Sequence, residues 1–178
     1  HNLIPICKEI KKLGFKIKLD TNGSNCKQIK ELIELKLINY IDKVFDTLND
    51  TASINNINLR HEVEENTLVF ADSKMLISII QNIVSNAINH TENGGKIHIS
   101  AKKEIDKIIV QIKDNGIGIS QEIQEKLFKP QMKTLSEARK KLKGAGIGLL
   151  LVKGFLEKNG GEIWVESEVG EGASFYFT

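Results

Sequence analysis

Asn82, Asn86 and Asn89 recur at i, i+4 and i+7, a spacing that puts three carboxamides on one stripe of a helix. Asparagine is a poor helix former, so three in a row ask for a role. Their oxygens are hard ligands suited to magnesium and their amides can donate to phosphate; a solvated polar edge is the competing reading. Asp114 ends an apolar run and opens "DNGIGI". A carboxylate there can accept a hydrogen bond from a base amine, while Gly116 and Gly118 permit a tight turn and a close approach; an ordinary strand-to-helix turn is the alternative. Gly144, Gly146 and Gly148 stand just before a helix in "GAGIG", where backbone N–H groups and the helix's positive end can face phosphate. The spacing is not G-x-G-x-x-G and no clear strand precedes it, so a dinucleotide fingerprint fails its context test. Ahead of this loop, Lys129, Lys133, Arg139, Lys140, Lys141 and Lys143 are opposed only by Glu137. Such a run suits a cover over a triphosphate or, like most charge runs, a solvated surface helix.

The chain that must position these groups has 178 residues, enough for one domain of ordinary size plus an extra piece. With 40% hydrophobic and 27% charged residues it reads as soluble and globular rather than disordered. A net charge of +2 gives no general argument for nucleic acid or an acidic membrane as partner. Cys7 and Cys26 lack metal-ligand spacing, which implies neither a disulfide framework nor a zinc site and suits a reducing cytoplasm. No apolar run approaches the ~20 residues that span a bilayer, and no signal peptide is visible. The chain starts at His1 rather than Met, so a membrane anchor upstream stays open.

Residues 1–42 read as helix, strand, helix, strand. Leu3 to Leu13 has helical spacing, "FKIKLD" alternates, "CKQIKELIELKL" is amphipathic and "INYID" reads as a short strand. From Lys43 the order changes. "KVFDTLNDTASI" is helical, "INLRHEVEE" and "TLVFA" are strands, and Asp72 caps a long helix to Asn89. Met75, Leu76, Ile79, Ile80, Ile83, Val84 and Ala87 give that helix its core face. "GKIHISAKKE" and "KIIVQIKD" form a hairpin around Ile105 and Asp106, and "SQEIQEKLF" is a short helix with a Ser N-cap. "GAGIG" opens a helix to about Lys158, and "GGEIWVESE" and "GASFYFT" close as a strand pair. The expected class is α+β: a two-layer sandwich, one mixed sheet backed by helices on one face.

In series, "QNIVSNAI", "DNGIGI", "KLF" and "GAGIGLLLVKGFLEKNGGEIWVESEVGEGASFYF" resemble the catalytic, ATP-binding domain of sensor histidine kinases. The resemblance covers about residues 43–178 and implies the Bergerat-type fold shared with gyrase, Hsp90 and MutL. It implies magnesium-ATP as ligand, with Asn86 as the metal ligand, Asn82 one turn earlier, and Asn89 and His90 beside the phosphates. It places Asp114 on the adenine amine, with Gly116, Gly118 and Ile119 in the first glycine box. Phe128 belongs to the phenylalanine box. Lys143, Gly144, Gly146, Ile147, Gly148 and Leu149 belong to the second glycine box. Gly170, Gly172 and Ser174 match the last glycine-containing segment, on the adenine side. Hydrolysing members of the superfamily carry a glutamate where this chain has Asn82, a carboxamide that takes no proton at neutral pH. The resemblance therefore implies transfer of the γ-phosphate to a histidine in two-component signalling, with a phosphoacceptor histidine domain and a response regulator as partners. No nucleic acid or membrane contact is expected of residues 43–178, and the expected location is the cytoplasm.

The pattern is departed from in places. Asn89 replaces the usual Lys or Arg, Gln131 replaces the second aromatic of the phenylalanine box, and Leu150 stands where a small residue is common. The family's two-helix dimerisation segment is not seen, and His61-Glu62 lacks the downstream Arg and Pro of its phosphoacceptor box. A catalytically weak or inactive ATP-binding regulatory module is thus the alternative. Residues 1–42 instead resemble a slice of a radical-SAM activating enzyme, through "DTNG" and its flanks. The Cys-x-x-x-Cys-x-x-Cys cluster motif is absent, so no iron–sulfur or radical chemistry is inferred.

Overall fold

The computed structural model describes residues 33–129 and 147–178. In chain order these form β1 (Ile33–Lys36), α1 (Leu37–Ile54), β2 (Asn58–Glu62), β3 (Leu68–Ala71), α2 (Ser73–His90), β4 (Lys96–Lys103), β5 (Ile108–Asp114) and α3 (Gln121–Gln124). α4 (Ile147–Asn159), β6 (Ile163–Glu168) and β7 (Gly172–Phe177) follow.

Period-2 alternation builds the main sheet, which runs β2-β4-β5-β7-β6. β2 lies parallel to β4, and the other three pairings are antiparallel. A parallel pair needs a crossover, and β3 with α2 supplies it. β1 and β3 pair antiparallel as a separate two-stranded sheet. Ile97, Ile99, Val110, Ile112, Phe175 and Phe177 are buried on one face of the main sheet. Against them lie Leu76, Ile80, Ile83 and Val84 of α2, Ile41 and Val44 of α1, and Val152 and Leu156 of α4. The expected mixed sheet backed by helices is what forms. Among the described residues, no helix is long and apolar enough to cross a membrane.

Two expected elements are replaced. Ile33–Lys36 is a strand rather than the end of a helix, and "INYID" begins α1 rather than forming a strand. Leu37, Ile41, Val44 and Ala52 are all buried, so the helical period starts at Leu37 and absorbs the five-residue window. A window that short does not separate alternation from helical spacing. The boundary expected between residues 42 and 43 falls inside α1. The expected helix and strand before residue 33 lie outside the described residues. The helix expected over "SQEIQEKLF" is α-helical only across Gln121–Gln124, and Ser120 precedes it without a side-chain cap bond.

Three turns interlock at one end of the sheet. Asn56 Nδ2 donates to Asn93 Oδ1 at 3.1 Å, and Gly94 N–H donates to the Asn55 carbonyl at 3.2 Å. Lys96 N–H donates to Asn115 Oδ1 at 2.6 Å, which ties the turn after α2 to the turn after β5. The long helix that leads into this corner is capped as expected: Asp72 Oδ1 accepts from the N–H groups of Lys74 and Met75, both at 2.9 Å. Asp72→Ala removes both bonds and is expected to lower stability by about 1 kcal/mol. Asp72→Asn should recover most of it, read as the urea midpoint at constant m-value.

Candidate functional site

Asp114 ends β5 on the helix-facing side of the sheet and is 5% exposed, the buried charged group among the described residues. Its Oδ1 accepts from Gly116 N–H at 2.9 Å and from Ala173 N–H, across the sheet on β7, at 3.2 Å. Among the described residues Oδ2 has no protein partner. One oxygen is thus clamped and the other is left to accept from a ligand. Burial pushes the carboxyl above its usual range, partly offset by the two backbone N–H groups and by nearby His90.

The loop after Asp114 is held between the end of α2 and the β6–β7 turn. Ile117 N–H donates to the His90 carbonyl at 3.1 Å, and Gly170 N–H donates to the Ile117 carbonyl at 2.9 Å. Ile119 N–H donates to Ser167 Oγ at 2.8 Å, and Ser167 Oγ–H donates in turn to the Gly172 carbonyl at 2.6 Å. Gln124 Nε2 donates to the carbonyls of Ile119 and Ser167 at 2.7 and 2.8 Å. These contacts explain the glycines. A Cβ on Gly116 would meet the His90 carbonyl, and one on Gly118, whose φ is +70°, would meet the Glu168 carbonyl. The glycines let backbone approach backbone within the protein, before any ligand is considered. Ser167 and Gln124 escape sequence reasoning, because a polar residue on a strand or short helix carries no signal of such a role.

The asparagine stripe of α2 divides in two. Asn82 Nδ2 donates to the Ser78 carbonyl at 2.7 Å and approaches Ser78 Oγ at 3.3 Å. Its Oδ1 lies 2.6 Å from where a Cβ on Gly148 would be, so Asn82 seats the first turn of α4 against α2. Asn86, one turn further on and half-buried, makes no hydrogen bond among the described residues, and Asn89 and His90 are exposed. Phe128 packs against the core, and its carbonyl accepts from Lys153 Nζ at 3.4 Å. Leu149 is buried in the core and Ile119 packs against it. Ser174 is not brought to Asp114: it stands on the opposite face of the sheet, where Gln111 Nε2 approaches its Oγ at 3.4 Å. The neighbouring Ala173 N–H makes the contact instead. Lys143, Gly144, Gly146 and the side chain of Ile147 lie outside the described residues.

For magnesium, the fit rests on Asn86. Its unbonded carboxamide offers one neutral, hard oxygen, while no group of three or more His, Cys, Asp or Glu converges among the described residues. That donor set suits an ion that keeps most of its ligands as water and phosphate.

A family model described as histidine kinase-, DNA gyrase B- and HSP90-like ATPase matches residues 71–178. The chain is 34% identical over 139 residues to cyanobacterial phytochrome A of Nostoc sp., spanning 78% of this chain and 18% of that protein. It is 35% identical over 136 residues to the circadian input-output histidine kinase CikA of Synechococcus elongatus, 75% of this chain and 18% of that protein. The chain thus spans about a fifth of the length of these relatives. The nucleotide-free catalytic domain of histidine kinase ThkA superposes with a TM-score of 0.70 at 31% identity, covering 82% of this chain and 92% of that one.

Two measurements probe this corner. Gly116→Ala drives a methyl into the His90 carbonyl and is expected to destabilise by roughly 1–3 kcal/mol. Gly154→Ala, in α4 with nothing within 4 Å of its Cβ, is expected to stabilise by about 0.4–1 kcal/mol; paired thermal melts read both. For Asp114 the folded carboxyl binds its proton more tightly than the unfolded one. Between the ordinary and the raised pKa, stability therefore falls as pH rises. Asp114→Asn should remove that slope in urea titrations repeated across acidic pH.

Proposed function

The chain belongs to the histidine kinase-, DNA gyrase B- and HSP90-like ATPase family, and on that premise we propose that it binds magnesium-ATP and gives the γ-phosphate to a histidine. The acceptor is an imidazole on a phosphoacceptor domain, which passes the phosphate to a response regulator in the cytoplasm. The observation that carries this reading is Asp114, with Oδ1 clamped by two backbone N–H groups and Oδ2 without a partner among the described residues.

The ionised Oδ2 accepts from the exocyclic amine of adenine; guanine would set a carbonyl oxygen there and be refused. Asn86 would hold magnesium through its carboxamide oxygen, and the metal would supply positive charge to the phosphate oxygens. Asn82, engaged with Ser78 and Gly148, keeps the N-terminal turn of α4 beside Asn86, and that positive end faces the phosphates. With a carboxamide at 82, no base takes a proton from an attacking water, so the imidazole nitrogen is the nucleophile and ADP leaves. Catalysis then rests on positioning and electrostatics.

Calorimetry with magnesium-ATP tests the site. Losing a hydrogen bond to a charged group is worth about 1.5–3 kcal/mol, so Asp114→Ala should weaken binding roughly 10- to 100-fold. Asn86→Ala should weaken it chiefly when magnesium is present. Phosphotransfer to a supplied dimerisation domain completes the test: binding without any phosphohistidine would leave an ATP-binding regulatory module instead.

A further inference from the structure

The face of the main sheet away from the helices has a charge pattern that the ATP site does not use. Arg60, Lys96, Lys102 and Lys113 stand on β2, β4 and β5, with Glu62 as the one carboxylate of those outward positions. On β6 at the other edge the outward charges are Glu166 and Glu168. Among the described residues, none of these four cations and neither β6 carboxylate makes an ion pair. Further along β6 and the neighbouring β7 lies an ordered aromatic pair. Tyr176 stacks on Trp164, with ring centroids 5.2 Å apart and planes at 9°. Tyr176 O–H donates to Glu166 Oε2 at 3.0 Å and accepts from Gln111 Nε2 at 2.9 Å. Tyrosine and tryptophan held in place on a surface are the kind of residue that anchors an interface.

The geometry points to this face as a two-fold, self-complementary contact between two copies of the chain. An axis parallel to the strands, between β5 and β7, lays each cationic half over the acidic half of the other copy. Lys96 then faces Glu168 of the second copy and Lys113 lies beside its Glu166, while Tyr176 and Trp164 lie over β5 and β4 of that copy at the level of Gln111 and Ser100. An axis across the strands would set like charges together. A partner of one sign would be attracted by one half of the face and repelled by the other, whereas a second copy satisfies both. Four of the five strands overlap about that axis; about 4.8 Å apart and about 16 Å long, they give roughly 300 Å² per copy, so the pair removes roughly 600 Å² from water. That size makes a weak, reversible dimer, favoured by concentration and weakened by salt. The inference stands apart from nucleotide binding.

Sedimentation velocity of the full chain, from dilute to millimolar concentration and at low and high salt, tests it. Self-association that weakens with salt is expected. Glu166→Lys with Glu168→Lys makes the face mainly cationic, and Lys96→Glu with Lys113→Glu makes it mainly acidic. Each double variant alone should associate about tenfold or more weakly than the native chain, with circular dichroism checking that the fold persists. Mixing the two variants should restore association as a heterodimer. A native chain that stays monomeric at every concentration overturns the inference, and so does a dimer indifferent to both salt and charge reversal.

Discussion

The site depends on one carboxylate oxygen. Asp114 Oδ1 receives the Gly116 N–H from its own loop and the Ala173 N–H from β7, joining the end of β5 to the closing hairpin inside the core. A buried carboxylate is expensive unless such bonds satisfy it. The two bonds only partly offset the burial, and the carboxyl remains harder to ionise than usual. Stability is therefore spent on holding a charge where it is poorly solvated. That is the condition under which a further hydrogen bond to its other oxygen counts most. The loop after it is arranged accordingly, with the His90 carbonyl on one side and the Ser167–Gly172 turn on the other.

Much of this was legible in the residues. The Asp72 cap, the apolar stripe of α2, both late hairpins and the mixed sheet follow from periodicity and turn chemistry, and the structure has each of them. The entry into α1 was misread because a strand and a helical turn look alike over five residues. Ser174 shows a different limit. In a strand, a step of one residue changes the face, so a serine adjacent to the contact points away from it. The group that does touch Asp114 is a main-chain N–H, which every residue except proline carries and no side-chain pattern announces. Ser167 and Gln124 were hidden for a similar reason, because their partners are main-chain groups, some of them distant in sequence.

The asparagine stripe illustrates how equal spacing can serve unequal purposes. Asn82 is consumed by Ser78 and by its approach to Gly148, while Asn86 has no hydrogen-bond partner among the described residues. The first is a joint between α2 and α4; the second is available chemistry. A single helix thereby carries both a free carboxamide and the side chain that sets a neighbouring helix end beside it, so any tilt of α4 is felt at Asn86 within one turn.

The parallel seam between β2 and β4 has a kinetic meaning. β4–β5 and β6–β7 are hairpins whose strands close over short loops, and such local pairings form early. β2 finds β4 only after β3 and the whole of α2 have been laid down between them, and it then forms an edge with one neighbour in that sheet. β5 and β7 are further apart still, with Val110 paired to Phe177, so the joint between the two hairpins closes over the longest loop in the sheet. The Ala173–Asp114 bond bridges that joint, so the clamp on Asp114 forms only when the two hairpins dock.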